Sequence, residues 1–185
     1  MTITETALPG AFIIEPKVYH DDRGYFFESF NQKALNQAIG QDIHFVQDNQ
    51  SQSKYGVVRG LHFQHEPYAQ TKLVRVLDGR VLVVIVDIRQ GSPAYGQHFS
   101  VMLDSTEKKQ LYVPKGMAHG FAVLSSSSEF FYKCDNFYQP GSESGILYND
   151  PDLNIDWGLP EKDIILSAKD QKLQPLKALD HSFAY

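Results

Sequence analysis

The feature that most constrains this chain is a succession of short segments rich in Val, Ile, Phe and Tyr, each ended by Gly, Pro, Asn or Asp. Segments of this length and composition are typical of β-strands separated by turns. The pair Asp78-Gly79 accepts the positive φ angles of a tight hairpin turn, with a strand on either side over 72–88. Further strands are predicted near 11–18, 24–30, 45–53, 57–64, 97–103, 119–124 and 129–136.

Little of the chain favours helix. Ala34, Leu35 and Ala38 have helical spacing after the capping residue Asn31, and Gly40 follows as a stop, so one short helix is predicted over 31–39. Helical turns are also expected after Leu159. Eight or more antiparallel strands are best closed as a jelly roll, because closure removes exposed sheet edges. We expect one all-β domain over residues 1–185 with a few short peripheral helices.

Charge and composition exclude several classes of partner. The chain has 22 acidic and 17 basic residues and no basic tract, so duplex nucleic acid is a poor partner. The longest apolar run, 81–86, is far shorter than the ~20 residues that cross a bilayer, so no membrane association is expected. Cys134 is the only cysteine, and no basic residue precedes Lys17 as it would in a secretory signal. These observations predict a cytoplasmic protein in which Cys134 is a buried apolar residue.

Two of the seven histidines lie in recognisable patterns. His62 ends a G-x5-H pattern and His119 ends a P-x-G-x2-H pattern, which resemble the two halves of the motif of cupins, a jelly-roll family. In metal-binding cupins a second His follows two residues after the first, and then a Glu. Gln64 occupies that position here, and 67–70 contains no Glu. Because catalytic metal sites usually have three protein ligands, we expect no metal.

Longer matches cover nearly the whole chain. They are D-R-G-Y-F-F-E at 22–28, Q-D-N at 47–49, R-G-L-H at 59–62, Lys72, P-K-G-M-A-H-G-F at 114–121 and N-D-P at 149–151. In order and spacing they resemble the dTDP-4-dehydrorhamnose 3,5-epimerase family. The resemblance implies a cupin jelly roll (double-stranded β-helix), a homodimer and no cofactor. It also implies inversion of C3 and C5 of dTDP-4-dehydro-6-deoxy-D-glucose on the route to dTDP-L-rhamnose.

The resemblance implies a catalytic role for four residues. His62 is the base, Asp170 its orienting carboxylate, Lys72 the cation that stabilises the enolate and Tyr132 the acid on the opposite face. These residue types suit the chemistry, because both reacting C–H groups flank the C4 ketone and one base can serve both. From the residues alone, Tyr132 is more typical of a core and Asp170 of a solvated or helix-terminal position, and Lys72 is compatible with a solvated strand end.

The same resemblance implies the substrate-binding residues. Arg23, Arg59 and Lys169 meet the diphosphate and its surroundings, and guanidinium groups suit phosphate oxygens. Tyr138 stacks on thymine and His119 hydrogen-bonds to the hexose. The other implied binding residues are Phe26, Glu28, Gln47, Asn49 and Glu143, of which Glu143 alone would be an ordinary surface carboxylate.

Three functions remain open on this evidence. The first is the 3,5-epimerase acting on a dTDP-4-keto-6-deoxy sugar. The second is a single-site (C3 or C5) epimerase or a 3,4-ketoisomerase of a similar nucleotide sugar, and the third is a non-catalytic sugar-binding cupin. A candidate base, acid and two cations argue against the third. For the homodimer, the apolar segment 2–18 is a strand that could add to the sheet of a second copy.

Overall fold

The computed structural model describes residues 1–180 and 183–185. Its strands are Thr2–Glu5 (β1), Phe12–Glu15 (β2), Tyr19–Asp21 (β3), Gly24–Phe26 (β4), Gln47–Lys54 (β5), Val58–Gln64 (β6), Lys72–Asp78 (β7), Arg80–Asp87 (β8), His98–Asp104 (β9), Gln110–Val113 (β10), Met117–Val123 (β11), Ser127–Cys134 (β12) and Glu143–Gly145 (β13). Helix α1 spans Gln32–Ile39. Short 3-10 turns lie at Pro140–Ser142, Glu161–Asp163, Asp170–Lys172 and Leu176–Ala178.

Two antiparallel sheets make up most of the described structure. One has six strands in the order β1-β2-β10-β7-β12-β5, and the other has five in the order β13-β6-β11-β8-β9. Strands β3 and β4 form a separate two-stranded hairpin. Strands that are neighbours in sequence repeatedly lie in different sheets, as they do in a jelly roll. The predicted all-β jelly roll with short peripheral helices is therefore confirmed.

The main core lies between the two sheets. Val74 and Phe130 of the six-stranded sheet pack in one buried cluster with Val83 and Phe121 of the five-stranded sheet. The opposite face of the five-stranded sheet is covered by a second cluster that includes Trp157 from the C-terminal segment. Because both faces of β8 are covered, its sequence is almost continuously apolar rather than alternating.

Helix α1 is confirmed at the predicted place. The Asn31 side chain accepts a hydrogen bond from the Ala34 N–H at 3.0 Å, and Gly40 ends the helix in the left-handed region at φ +69°. Its buried residue Leu35 packs near Tyr112 on the outer face of the six-stranded sheet. Within residues 1–180 and 183–185, no helix has the length and apolar character needed to cross a bilayer.

The predicted hairpin at Asp78-Gly79 is wrong. Strands β7 and β8 flank this pair, but β7 lies in the six-stranded sheet and β8 in the five-stranded sheet. Gly79 has φ +79°, and a Cβ there would lie 2.2 Å from the Ser127 carbonyl oxygen. The pair therefore makes a corner between the sheets. An Asp-Gly pair indicates positive φ, but it does not determine whether the next strand pairs back or crosses over.

Candidate active site

A cavity of about 620 Å³ lies between the two sheets and the C-terminal segment 165–170. All of the predicted catalytic residues line it, and so do many of the predicted binding residues. The predicted residues that line it are Asn49, Arg59, His62, Lys72, His119, Tyr132, Glu143, Lys169 and Asp170.

A β-bulge in β6 lets Arg59 and His62 line the same cavity. Residues three apart on a regular strand point to opposite faces. Here His62 is opposite His119 while Arg59 is opposite Phe121, so β6 uses one residue more than β11 over this stretch. Gly60 in the bulge has φ +116°. The extra residue turns both side chains to the inner face.

His62 and Asp170 form a hydrogen-bonded pair on one wall. His62 Nε2 lies 2.6 Å from Asp170 Oδ1, and the carboxylate side chain is only 4% exposed. Asp170 begins a 3-10 turn, where its N–H donates to Ser167 Oγ at 3.0 Å. Burial is the largest effect and acts to raise the pKa of Asp170, but the hydrogen bond and charge of His62, together with hydrogen bonds from Ser167 and the Gly60 backbone, outweigh it and the pKa is lowered. The carboxylate is therefore ionised near neutral pH and can fix the imidazole tautomer.

Lys72 and Tyr132 lie on the facing wall, on neighbouring strands of the six-stranded sheet. The Lys72 ammonium is 5.9 Å from the centroid of the Tyr132 ring. Burial lowers the pKa of Lys72, and the nearby Cys134 and Glu143 partly offset that effect. Burial raises the pKa of Tyr132 to about 12, so its hydroxyl is protonated at neutral pH. This wall thus presents a proton donor beside a cation.

His119 is a buried histidine whose ring stacks on Phe130 at 5.9 Å between centroids. Its Nε2 has no hydrogen-bond partner among the described residues. Burial, and then the nearby Lys72 and His62, lower its pKa well below the ordinary value. The imidazole is therefore neutral, and Nε2 is available to a ligand in the cavity.

Arg59 and Lys169 are the other cations of the cavity. Ser53 Oγ accepts hydrogen bonds from Arg59 Nε at 3.1 Å and Nη2 at 3.0 Å, which fixes the guanidinium plane. Lys169 Nζ lies 2.5 Å from Glu143 Oε2. Burial is the largest effect and acts to raise the pKa of Glu143, but the hydrogen bonds from Lys169 and Tyr138 and the nearby charges of Lys169 and His62 together outweigh it, so the pKa is lowered and the carboxylate is ionised.

Ser53 and the segment 165–167 were not predicted as site residues. Ser53 lies on the same face of β5 as Asn49, so strand alternation from the predicted Asn49 is a signal that could have found it. Residues 165–167 line the cavity because Ile165 pairs in parallel with Val57, just before β6. That pairing joins segments more than a hundred residues apart, and no local sequence signal marks it.

Gln47 and Tyr138 line a smaller adjoining cavity of about 250 Å³ rather than the main one. Asn49 and Tyr132 belong to both cavities, so the two are neighbours. Gln47 Nε2 donates to Asn49 Oδ1 at 3.0 Å, and the Tyr138 hydroxyl donates to Glu143 Oε2 at 2.5 Å. The smaller cavity, which these predicted binding residues line, thus continues the main cavity on one side.

Arg23, Phe26 and Glu28 do not line the main cavity. Arg23 lies at the turn of the β3–β4 hairpin, with a side chain 89% exposed and paired with Asp21 at 2.5 Å. Phe26, on β4, is 71% exposed, and Glu28 is also exposed. One copy of the chain therefore does not bring these predicted binding residues to the others.

In the part of the chain that the structure describes, no group of three or more His, Cys, Asp or Glu side chains is placed to hold a metal ion. Gln64, at the position where metal-binding cupins have a His, bonds to backbone groups instead. Its Nε2 donates to the Tyr68 carbonyl at 2.7 Å and to the Phe137 carbonyl at 3.2 Å.

Known proteins resemble the chain over nearly its whole length. The family model described as dTDP-4-dehydrorhamnose 3,5-epimerase matches residues 5–178. A dTDP-4-dehydrorhamnose 3,5-epimerase of Shigella flexneri is 51% identical over 170 residues, which cover 92% of this chain and 93% of the relative. The Escherichia coli protein of the same description is 48% identical over 180 residues, which cover 97% and 96%.

Solved structures agree with these matches. A dTDP-6-deoxy-D-glucose-3,5-epimerase from Legionella pneumophila, in complex with dTDP-4-keto-L-rhamnose, has a TM-score of 0.95 at 47% identity and covers 100% of this chain and 98% of its own. A 3'-monoepimerase from Streptomyces bikiniensis, in complex with dTDP-quinovose, has a TM-score of 0.87 at 31% identity and covers 93% and 86%.

Proposed function

Because the chain belongs to the dTDP-4-dehydrorhamnose 3,5-epimerase family, we propose that it inverts C3 and C5 of dTDP-4-dehydro-6-deoxy-D-glucose to give dTDP-4-dehydro-L-rhamnose. The observation that carries the proposal is the cavity in which the His62–Asp170 pair faces Lys72 and Tyr132. Inversion requires a proton to leave one face of the ring and another to reach the opposite face. Proton-transfer groups on opposite walls meet that requirement.

His62 is the base in this proposal. With Nε2 bound to the Asp170 carboxylate, Nδ1 takes the proton from the carbon next to the C4 ketone. The electrons of the broken C–H bond pass to the C4 oxygen, where the Lys72 ammonium and the His119 imidazole stabilise the enolate. Because C3 and C5 both flank C4, the same groups serve both carbons.

Tyr132 supplies the proton on the opposite face. Its hydroxyl is protonated at neutral pH, because burial raises its pKa to about 12. The phenolate left after transfer lies beside the Lys72 ammonium, which favours its formation until a proton from solvent restores it.

The nucleotide occupies the side of the cavity that adjoins Tyr138. Arg59 and Lys169 bind the diphosphate, and the Tyr138 ring, which is half exposed, stacks on the thymine. Gln47, Asn49 and Glu143 contact the base and the sugar. Support for this placement comes from the two shared residues that join the smaller cavity to the catalytic one.

The proposal is tested by incubating the keto-sugar nucleotide with the protein in D2O and following both carbons by NMR. A 3,5-epimerase introduces deuterium at C3 and C5 and yields the L-sugar. Label at a single carbon with a single inversion would indicate a monoepimerase, and movement of the carbonyl would indicate a ketoisomerase. An absence of label with tight nucleotide binding would indicate a non-catalytic binder.

We also propose that the chain is a homodimer in which each β3–β4 hairpin reaches the cavity of the second copy. This arrangement would bring Arg23, Phe26 and Glu28 to a substrate from which they are separated within one copy. The exposed Tyr19, Tyr25 and Phe26 rings give the hairpin an apolar surface that a partner could cover. We further propose that the chain acts as a single domain in the cytoplasm, consistent with its one buried, unpaired Cys134.

Light scattering and subunit mixing test the dimer. If the hairpin acts in the second copy, mixing the inactive variants Arg23→Ala and His62→Asn restores activity, because one of the two sites in a mixed dimer then has both intact residues. If the hairpin acts within its own copy, mixing restores none. A monomeric mass at micromolar concentration would contradict the dimer itself.

A further inference from the structure

Residues 135–139, which follow β12, belong to no strand or helix of the described structure. Outside a strand or helix their backbone groups need other hydrogen-bond partners, and glutamine side chains provide several of them. Gln70 Nε2 donates to the Asn136 carbonyl at 2.8 Å and Gln64 Nε2 to the Phe137 carbonyl at 3.2 Å. The Tyr138 N–H donates to Gln47 Oε1 at 2.9 Å and the Gln139 N–H to Gln64 Oε1 at 2.7 Å.

Gln64 is the central residue of this arrangement. It is the last residue of β6, two positions after His62, and it is only 4% exposed. Its amide also donates to the Tyr68 carbonyl at 2.7 Å, so one side chain joins two loops. In the sheet it is opposite Glu143, which accepts the hydrogen bond from the Tyr138 hydroxyl. Tyr138 is thus fixed through both its backbone and its hydroxyl.

We propose that Gln64 is a positioning residue that holds the Tyr138 segment against β6, so that the nucleotide-binding ring keeps a fixed place relative to His62. The inference rests on the proposed function for the identity of the ligand that Tyr138 contacts. Gln64 does not line the catalytic cavity and touches no reacting atom. Its position in the cupin pattern, where other members have a metal ligand, is used here for a structural cross-link.

The arrangement requires an amide in particular. Gln64 donates to two carbonyls and accepts from one N–H at the same time. Gln64→Glu keeps the acceptor but directs a carboxylate at the Tyr68 and Phe137 carbonyls, whereas Gln64→Met keeps a similar volume and removes every hydrogen bond. A control for the loss of a glutamine amide elsewhere is Gln97→Met, because Gln97 is an exposed glutamine outside both cavities.

The first measurement is amide hydrogen exchange without ligand. In Gln64→Met and Gln64→Glu, exchange in the 137–139 segment should be faster than in the wild type, and in Gln97→Met it should be unchanged. The second measurement is dTDP affinity by calorimetry together with KM and kcat. Both Gln64 variants should bind dTDP about tenfold more weakly, the size of one or two lost hydrogen bonds, with a smaller change in kcat than in KM.

A double-mutant cycle separates positioning from general damage to the structure. If Gln64 acts through Tyr138, Gln64→Met should cause no further loss of dTDP affinity in a Tyr138→Ala background. An equal loss in both backgrounds would overturn the proposal, as would unchanged dTDP affinity in both Gln64 variants. If one variant fails to fold, the other carries the same comparison.

Failure of the proposed function has a different signature. It would appear as a wild-type chain that does not bind dTDP, whatever residue stands at position 64. In that event the exchange measurement still decides whether Gln64 holds the 137–139 segment: faster exchange in the variants supports that role, and unchanged exchange overturns it.

Discussion

Tyr132→Phe should separate proton removal from inversion. The substitution keeps the ring, which lies 6.1 Å from Phe130 and 5.9 Å from the Lys72 ammonium, and deletes only the hydroxyl. Since the pKa of Tyr132 is about 12, roughly one molecule in 10⁴ carries an ionised phenol at pH 8. The wild-type hydroxyl therefore carries its proton under assay conditions, and the variant has no hydroxyl to donate at that place.

Removal of a general acid typically costs ~10²- to 10⁴-fold in rate, or about 3 to 5.5 kcal/mol in the barrier. We expect formation of the L-sugar to fall by that factor. In the proposed mechanism the removal of the proton by His62 does not use the phenol, so wash-in of deuterium should stay within about tenfold of the wild type. The ratio of inversion to wash-in should thus fall by at least about tenfold.

NMR in D2O measures both rates in one sample, because retained and inverted products are distinct. Tyr112→Phe is a matched control: Tyr112 is also buried, burial also raises its pKa to about 12, and its hydroxyl bonds to Gln41 outside the cavity. That control should keep the wild-type ratio. Near-normal inversion in Tyr132→Phe would refute the reasoning and assign the second proton to water or to another residue, such as Tyr138.

Other expectations follow from the same geometry. His62→Asn should abolish deuterium wash-in at both C3 and C5, and wash-in that persists at one carbon would reveal a second base. Ser53→Ala should raise KM about tenfold while kcat is nearly kept, because the Arg59 guanidinium loses the hydroxyl that fixes it; an equal effect on both constants would contradict this role. Below the ordinary histidine pKa of ~6.5, His119 binds a proton in the unfolded chain but stays neutral in the folded chain, where it is buried. The wild type should therefore lose about 1 to 2 kcal/mol of unfolding free energy between pH 7.5 and 5. The His119→Gln variant has no such group and should not show this loss. Denaturant titrations at several pH values test this, and equal pH slopes would exclude it. Activity should survive exhaustive chelation, whereas loss that one divalent ion restores would overturn the metal-free mechanism.

Much of the fold was predictable because local signals were strong. The cap at Asn31 and the stop at Gly40 define α1, and apolar segments bounded by turn residues locate most of the longer strands. The short strand Gln110–Val113 was not predicted, since four residues are too few to show a period. The predicted pairing of β7 with β8 across Gly79 was wrong, because long-range packing determines which strands pair. A turn dipeptide such as Asp78-Gly79 does not indicate the partner of the strand that follows it.

The site residues could be predicted from the family resemblance but mostly not from local sequence patterns. Strand alternation alone would place Arg59 and His62 on opposite faces, and only the bulge reconciles their three-residue spacing with one cavity. The sequence does not distinguish Tyr132 from its aromatic neighbours, because only the folded structure shows that its side chain lines the catalytic cavity. The assignment of Arg23 to the site remains a prediction that depends on a second copy of the chain.

The contact between Gly60 and Gly120 limits how this site can change. A Cβ on Gly60 would lie 2.6 Å from the Gly120 Cα, and a Cβ on Gly120 would lie 2.7 Å from the Arg59 carbonyl oxygen. The two main chains therefore touch with no side chain between them, directly beside His119 and one residue from Arg59. If Arg59 holds the diphosphate and His62 removes protons, the main-chain distance between these two residues is fixed by this contact, and Ser53 and Asp170 then fix the ends of the two side chains. Substrate range could then be altered by mutating cavity walls, while the reach of the base along the sugar would stay constant.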